Sequence, residues 1–201
     1  MADATAPLTA RSILAPYEER FAALDGPVGL ASAPLAQHLA VRLDPSSPQR
    51  VEVERALGVD LPGVMHAATT PVGRTVVWLG PDEWLVIDPT RSPDLADGLR
   101  TAVAGAGVVV DQSGQRVSIV VTGDTVGLLA KGTSLDLRPE RFPEGSATQT
   151  LLGQAIVVVI ARSADASRTE LVVRWSFARS LADWLLDALR DPLAYPADHG
   201  D

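Results

Sequence analysis

The sequence predicts an α+β fold in which helices cover one side of mostly antiparallel sheet. Three observations predict it. Short β-branched runs recur along the chain and are separated by Gly, Pro and Asp turn signals. Two segments, 95–103 and 177–189, carry apolar residues at helical spacing on one face. The elements also follow the order strand-rich segment, helix, two strands, helix, three strands, helix, which makes two similar α/β halves. At 201 residues the chain is long enough for one core shared by two such halves, and too short for two large independent domains.

Taken in order, residues 1–34 are rich in Ala and Pro and read as an N-terminal arm. Their apolar clusters are too sparse to offset about 1–2 kcal/mol of backbone entropy per ordered residue. The arm is therefore expected either to fold fully only against a partner chain, with Arg11, Ile13, Leu14, Tyr17 and Phe21 as contact residues, or to pack on its own domain. A single domain is expected over 35–190. Within it Gln37–Leu43 alternates as a strand, residues 44–49 (DPSSPQ) are a loop, and residues 51–57 form a helix that Gly58 stops. Residues 59–71, with further Pro and Gly, read as loop. Residues 74–79 (RTVVWL) and 83–87 (EWLVI) flank Gly80-Pro81-Asp82 and predict a β-hairpin. Both runs are apolar on both faces, so the hairpin is covered on two sides. Trp78 and Trp84, six residues apart across that turn, are expected to lie on neighbouring strands and to anchor the hairpin in the core or at a partner interface.

Ser92-Pro93 opens the next helix as N-cap and first position, with Leu95, Leu99 and Val103 as its apolar stripe. Residues 108–111 are a strand, and Val117, Ile119 and Val121 alternate in another. Residues 124–131 make a short helix, acidic at its start and ended by Lys131 and Gly132. Residues 150–152, Ala155–Ala161 (AIVVVIA) and 169–173 are three more strands. Ser176 caps a last helix whose broad apolar face holds Phe177, Leu181, Trp184, Leu185, Ala188 and Leu189. Residues 191–201 read as a tail.

Composition excludes several kinds of chemistry. The absence of cysteine removes disulfides, thiolate catalysis, Cys-type zinc sites and Fe–S ligation. A net charge of −8 without a basic cluster argues against nucleic-acid binding. Arginine supplies all the basic residues except Lys131. No apolar run approaches the roughly 20 residues of a membrane span. The N-terminal sequence lacks the pattern of a signal peptide, so a cytoplasmic location is expected.

Motifs for nucleotide and hydrolase chemistry fail on context. Gly105-Ala106-Gly107 follows a helix and precedes a strand, the reverse of a dinucleotide-binding turn. Lys131-Gly132-Thr133 inverts the phosphate-loop order. His38, His66 and His199 are far apart and unpaired, and no Gly-x-Ser-x-Gly elbow occurs. No catalytic, cofactor-binding or metal-ligating residue is therefore assigned. Asp111 and Ser113, before a tight turn, either cap that turn or serve a polar site.

Several segments together resemble the gamma subunit family of heterotetrameric sarcosine oxidase. They are residues 78–85 (WLGPDEWL) with Arg74-Thr75-Val76 and Val86-Ile87, and residues 109–123 (VVDQSGQRVSIVVTG) leading through 128–132 to Leu135-Asp136-Leu137. Phe142-Pro143, Gly145-Ser146 to Gln149-Thr150, residues 174–186 (RWSFARSLADWLL) and the early Arg11-Ser12 with Leu14 complete the ordered set, spanning roughly 10–190. The middle block is also similar to the wider glycine-cleavage T protein superfamily. That likeness implies a T protein-like folate-binding-domain fold of two interleaved α/β halves.

The resemblance implies a non-catalytic, cofactor-free subunit of a flavoenzyme complex with alpha, beta and delta-type partners. It implies FAD, FMN, NAD and tetrahydrofolate in those partners, and a reaction that converts sarcosine to glycine with hydrogen peroxide and 5,10-methylenetetrahydrofolate. Two departures count against a working aminomethyltransferase: the Lys-Gly-Cys signature of the repair relatives is absent, and no second barrel domain is present in this sequence. The alternative is a free-standing tetrahydrofolate-binding module. There Asp111 would accept hydrogen bonds from pterin N–H groups and Arg116 would pair with the glutamyl tail.

Overall fold

The computed structural model describes residues 10–191. Two five-stranded sheets, antiparallel in every ladder, lie face to face, and each carries helices on its outer side only. Sheet I comprises β1 (Val28–Ser32), β7 (Arg116–Gly123), β8 (Ala147–Leu152), β9 (Ala155–Ala161) and β10 (Arg168–Arg174), in the order β1-β7-β10-β9-β8. Sheet II comprises β2 (Gln37–Leu43), β3 (Ala67–Thr69), β4 (Thr75–Gly80), β5 (Glu83–Asp88) and β6 (Gly107–Asp111), in the order β3-β4-β5-β2-β6. The chain starts sheet I, completes sheet II, and returns to sheet I. The halves are thus interleaved.

Strand alternation sorts the side chains into three cores. The helices α1 (Glu18–Ala22), α4 (Thr125–Leu129) and α5 (Trp175–Ala188) cover sheet I, burying Leu128, Leu129, Ala178, Leu181 and Leu185 against Val117, Ile119, Val157, Val159 and Leu171. The helices α2 (Arg50–Leu57) and α3 (Leu95–Val103) cover sheet II, burying Val53, Leu57 and Leu99 against Val41, Val76, Trp84 and Val86. Between the sheets Val77, Leu85 and Ile87 meet Ala147, Val158, Ile160 and Val172. This layer explains why the hairpin strands β4 and β5 are apolar on both faces. At one edge the sheets are stitched together, because Ala67 N–H donates to the Gly145 carbonyl at 2.7 Å and Ala147 N–H to that of Met65 at 2.9 Å.

For the N-terminal arm the structure follows the second reading, packing on its own domain, and moves the boundary. The expected boundary at residue 34 falls beyond β1, which runs antiparallel to β7 from Val28 opposite Gly123 to Ser32 opposite Ile119. Gly123 is needed there: its φ is +84°, and a Cβ would sit 1.8 Å from the Pro27 carbonyl oxygen. Leu14, Tyr17 and Phe21, expected as partner contacts, are buried in this chain's own core. Tyr17 Oη donates to Asp183 of α5 at 2.9 Å, and Arg20 donates to the same carboxylate at 3.0 Å while lying over the Tyr17 ring. Arg11 is exposed and Ile13 half-buried. The apolar anchors were visible in the sequence; their docking site on α5 was not. Residues 1–9, and the expected tail after its first residue, lie outside the described residues. Limited proteolysis of the free chain is expected to leave bonds between residues 14 and 32 intact, as in the assembled complex. Rapid cleavage there in the free chain alone would restore the partner-dependent arm.

Other local readings change as well. Residue 92 does not cap α3, whose N-cap is Asp94; the Ser92 N–H instead donates to the buried Asp88 carboxylate at 2.9 Å. Ser176 lies inside α5, with Arg174 at the N-cap. Lys131 and Gly132 do close α4, their N–H groups donating to the Leu128 and Leu129 carbonyls at 3.3 and 3.0 Å, but both also serve α5. Lys131 Nζ donates to the Ala188 and Asp191 carbonyls at the far end of α5, at 2.5 and 2.8 Å. Gly132 makes room for the Trp184 indole, which a Cβ would meet at 2.4 Å. Residues 59–71, read as loop, contain β3.

Candidate functional site

The inter-sheet layer holds most of the polar chemistry. One opening beside it, a cavity of about 440 Å³, is lined by Thr75, Ser118, Thr122, Arg162, Arg168 and Glu170 among others. Arg162 closes across it. Its Nε and Nη2 donate to Glu170 Oε2 of sheet I at 2.9 and 2.6 Å, and its Nη1 donates to Thr75 and Thr69 Oγ1 of sheet II at 2.9 and 3.1 Å. This is a clamp between sheets, its donors already turned inward.

His38 of β2 also faces the layer and is 2% exposed. Neither ring nitrogen has a hydrogen-bond partner among the described residues. Burial pushes its pKa down to about 4, assisted by the Arg116 charge, and the Glu170 carboxylate, the Ala36 carbonyl and the Asp111 carboxylate oppose this only in part. The ring is thus neutral at pH 7.

Asp111 and Arg116 bracket a short turn but serve different neighbours. The Asp111 carboxylate accepts from Ser113 N–H at 2.8 Å and Ser113 Oγ at 2.6 Å, and Ser113 Oγ accepts from His38 N–H at 3.0 Å. Those bonds hold its pKa below the ordinary value. The turn-capping role expected for Asp111 and Ser113 accounts for these contacts. Arg116 points into the layer's other opening, its Nε donating to Gln112 Oε1 at 3.1 Å. Asp111 feels the charges of Arg100 and His38, whereas Arg116 feels those of Arg174 and Glu83. Both act on the buried His38, Arg116 lowering its pKa and Asp111 raising it.

This second opening is a cavity of about 370 Å³ lined by Arg116, Arg174, Gln149, Leu151, Ile156 and Phe177 among others. Here sheet I extends past its cover. Leu151 stands opposite Ile156, and Arg174 opposite Arg116. The β10–β9 register sets Val173 opposite Val157, so one step further Ile156 lies beside Arg174. Leu151, Ile156, Arg174 and Arg116 therefore form a row across four strands, apolar at the edge and cationic inside. Sequence reasoning missed most of it. Ile156 sits in a run that reads as wholly buried, yet it is 59% exposed, and Leu151 and Phe177 are 55% and 45% exposed. Only Arg116 had been singled out.

Trp84 is buried at 3% exposure among the side chains under α2 and α3, and its indole N–H donates to the Pro62 carbonyl at 2.9 Å. Trp78, opposite it on β4, is half-buried against the same cluster. No three His, Asp or Glu side chains gather at metal-binding distance among the described residues. Gly105 to Gly107 join α3 to β6, helix to strand, as the motif order had indicated. No described helix is long and apolar enough to cross a membrane.

Two interleaved antiparallel sheets with outer helices define the fold of the glycine-cleavage T proteins. The aminomethyltransferase T of the glycine cleavage system from Bartonella henselae matches 81% of this chain with a TM-score of 0.58 at 19% identity, over 46% of its own length. Residues 42–191 match the profile described as sarcosine oxidase, gamma subunit family. The chain is 34% identical over 169 residues to sarcosine oxidase subunit gamma of Arthrobacter sp., covering 83% of this chain and 82% of that one. It is 32% identical to the same subunit of Corynebacterium sp. strain U-96, over 82% and 80%. A chain of the heterotetrameric sarcosine oxidase from Corynebacterium sp. U-96, solved with pyrrole 2-carboxylate, superimposes with a TM-score of 0.82 at 29% identity, covering 90% of this chain and 95% of that chain. This protein belongs to the sarcosine oxidase gamma subunit family.

Proposed function

We propose that this chain is the non-catalytic gamma subunit of a sarcosine oxidase heterotetramer, contributing structure and assembly. Alpha, beta and delta-type partners carry FAD, FMN, NAD and tetrahydrofolate. The complex oxidatively demethylates sarcosine to glycine, reducing oxygen to hydrogen peroxide and passing the one-carbon unit to tetrahydrofolate as the 5,10-methylene form. Assembly takes place in the cytoplasm. The observation that carries this reading is the near-complete superposition on one chain of a heterotetrameric sarcosine oxidase.

A second reading, a tetrahydrofolate-binding module, is favoured by one feature, the carboxylate-free guanidinium of Arg116 at an open cavity. Asp111 fits it less well, because Ser113 N–H and Oγ already hold its Oδ1 in a local turn. One experiment separates the two. The isolated chain is expected to be colourless, to produce no peroxide from sarcosine, and to show no saturable tryptophan quenching with a tetrahydrofolate analogue, whereas co-expression with the partner chains yields an active complex containing it. Peroxide formation by the lone chain would overturn the subunit reading. Micromolar quenching abolished by Asp111→Ala would favour the folate module.

A further inference from the structure

We infer that the row Leu151–Ile156–Arg174–Arg116, with Phe177 beside it, docks an acidic segment of another subunit of the complex, one that presents a carboxylate next to an apolar side chain. The inference rests on the subunit reading above and deepens it by naming the surface and the chemistry of what covers it.

The charge pattern comes first. Arg116 and Arg174 are cross-strand neighbours on one face, a placement that is unfavourable for like charges. Neither has a carboxylate within ion-pair distance among the described residues, although nine other arginines do. The carboxylate that favours the Arg116 charge, Glu83, is already held by Arg42 at 2.6 Å. Burial and the neighbouring Arg174 push the Arg116 pKa down. In a chain of net charge −8, two adjacent uncompensated guanidiniums over a half-open cavity call for an anionic group from outside.

The apolar half supplies the second argument. Leu151, Ile156 and Phe177 are contiguous around the same cavity and largely exposed, the pattern of an interaction site. The patch reaches the free edge of β8, whose sequence ATQTLL contains no charge, Pro or bulge to blunt it. Ala147 N–H is taken by the Met65 carbonyl and Gly153 N–H by that of Gly132. The outward-facing residues between them, Gln149 and Leu151, have no backbone partner among the described residues. A protein segment crossing this edge meets main-chain hydrogen-bonding groups, then apolar side chains, then two guanidiniums. A small anion would use only the last.

The test is co-expression of the full chain with its partner subunits, comparing wild type with the Arg116→Glu/Arg174→Glu double variant and with Ile156→Asp. Each variant is expected to weaken assembly at least about 30-fold, the lower end for removing one partner of an interfacial charge pair. The melting temperature of the isolated chain should not fall for Ile156→Asp, whose side chain is exposed, whereas the double reversal also alters the half-buried Arg116. If the double reversal fails to fold, Arg116→Gln/Arg174→Gln serves in its place, with assembly weakened in the same direction. Wild-type assembly with normal assembly of the variants would overturn the docking surface and leave the subunit reading standing. Saturable binding of glutarate by the lone wild-type chain, with variant assembly unimpaired, would also overturn it, in favour of a small-anion site. Failure of the wild-type chain itself to assemble would overturn the subunit reading and the inference with it.

Discussion

Trp84→Ala is expected to destabilise the isolated chain by about 3–5 kcal/mol, the cost of truncating a fully buried aromatic side chain. For a chain of this size that lowers the melting temperature by roughly 6–20 °C. The indole fills the layer between sheet II and the helices α2 and α3, alongside Leu57, Val76 and Leu99. It also satisfies the Pro62 carbonyl at 2.9 Å, which truncation leaves without that partner. Trp84→Phe loses the hydrogen bond, worth about 1 kcal/mol, and part of the indole packing, so it is expected to cost less than Trp84→Ala. Trp78→Ala should cost less than Trp84→Ala, because Trp78 is only half-buried on the neighbouring strand. Thermal melts of the three variants check the order. An unchanged melting temperature for Trp84→Ala, with assembly lost, would instead make Trp84 an interface residue.

The legible parts of this fold were those where local chemistry and tertiary environment agree. Gln37–Leu43 could be read to the residue because its alternation matches a strand with one face under helices. Gly58 could be read as a helix stop because its left-handed φ of +77° is a local requirement. β1 was hidden because Gly29 and Ala31 carry little strand propensity, and its pairing with β7 comes from residues ninety positions away. Lys131 and Gly132 obey capping rules in sequence, yet both answer to α5, which packing alone brings near.

The candidate surface was harder to read for a related reason. Alternation shows which side chains share a face, but not how far an opposing sheet covers that face. Val158 and Ile160 lie under sheet II, while Ile156, two residues earlier on the same face, does not. Arg116 stood out by its place after the Asp111 turn. Arg174, its partner in the row, lies fifty-eight residues on and is joined to it only through the β7–β10 register.

Acidification from pH 7 to 4 is expected to cost the chain about 3 kcal/mol of stability through His38 alone. In the unfolded chain this histidine titrates near 6.5, and in the folded chain near 4. Between those values the unfolded state binds a proton that the folded state does not, so stability rises with pH across this window. The His38 contribution is therefore fully present above about pH 6.5 and fully lost below about pH 4. The separation corresponds to roughly 3 kcal/mol at 1.36 kcal/mol per pH unit. The cause is position. His38 points between the sheets at 2% exposure, with neither ring nitrogen bonded within the described residues and the Arg116 guanidinium close enough to oppose a second positive charge. The exposed carboxylates of Asp136 and Asp165, whose pKa values are drawn down to about 2 by their Arg138 and Ser167 hydrogen bonds, lose stability in the same direction but below about pH 4. The two effects separate along the pH axis. Denaturant unfolding of wild type and His38→Gln at pH 7.5, 5.5 and 4.5 measures the difference. The variant is expected to show a markedly shallower profile across this range than wild type, its remaining slope near pH 4.5 coming from carboxylates such as Glu54 whose pKa is lowered. An equal slope in both proteins would show that the histidine is not its source.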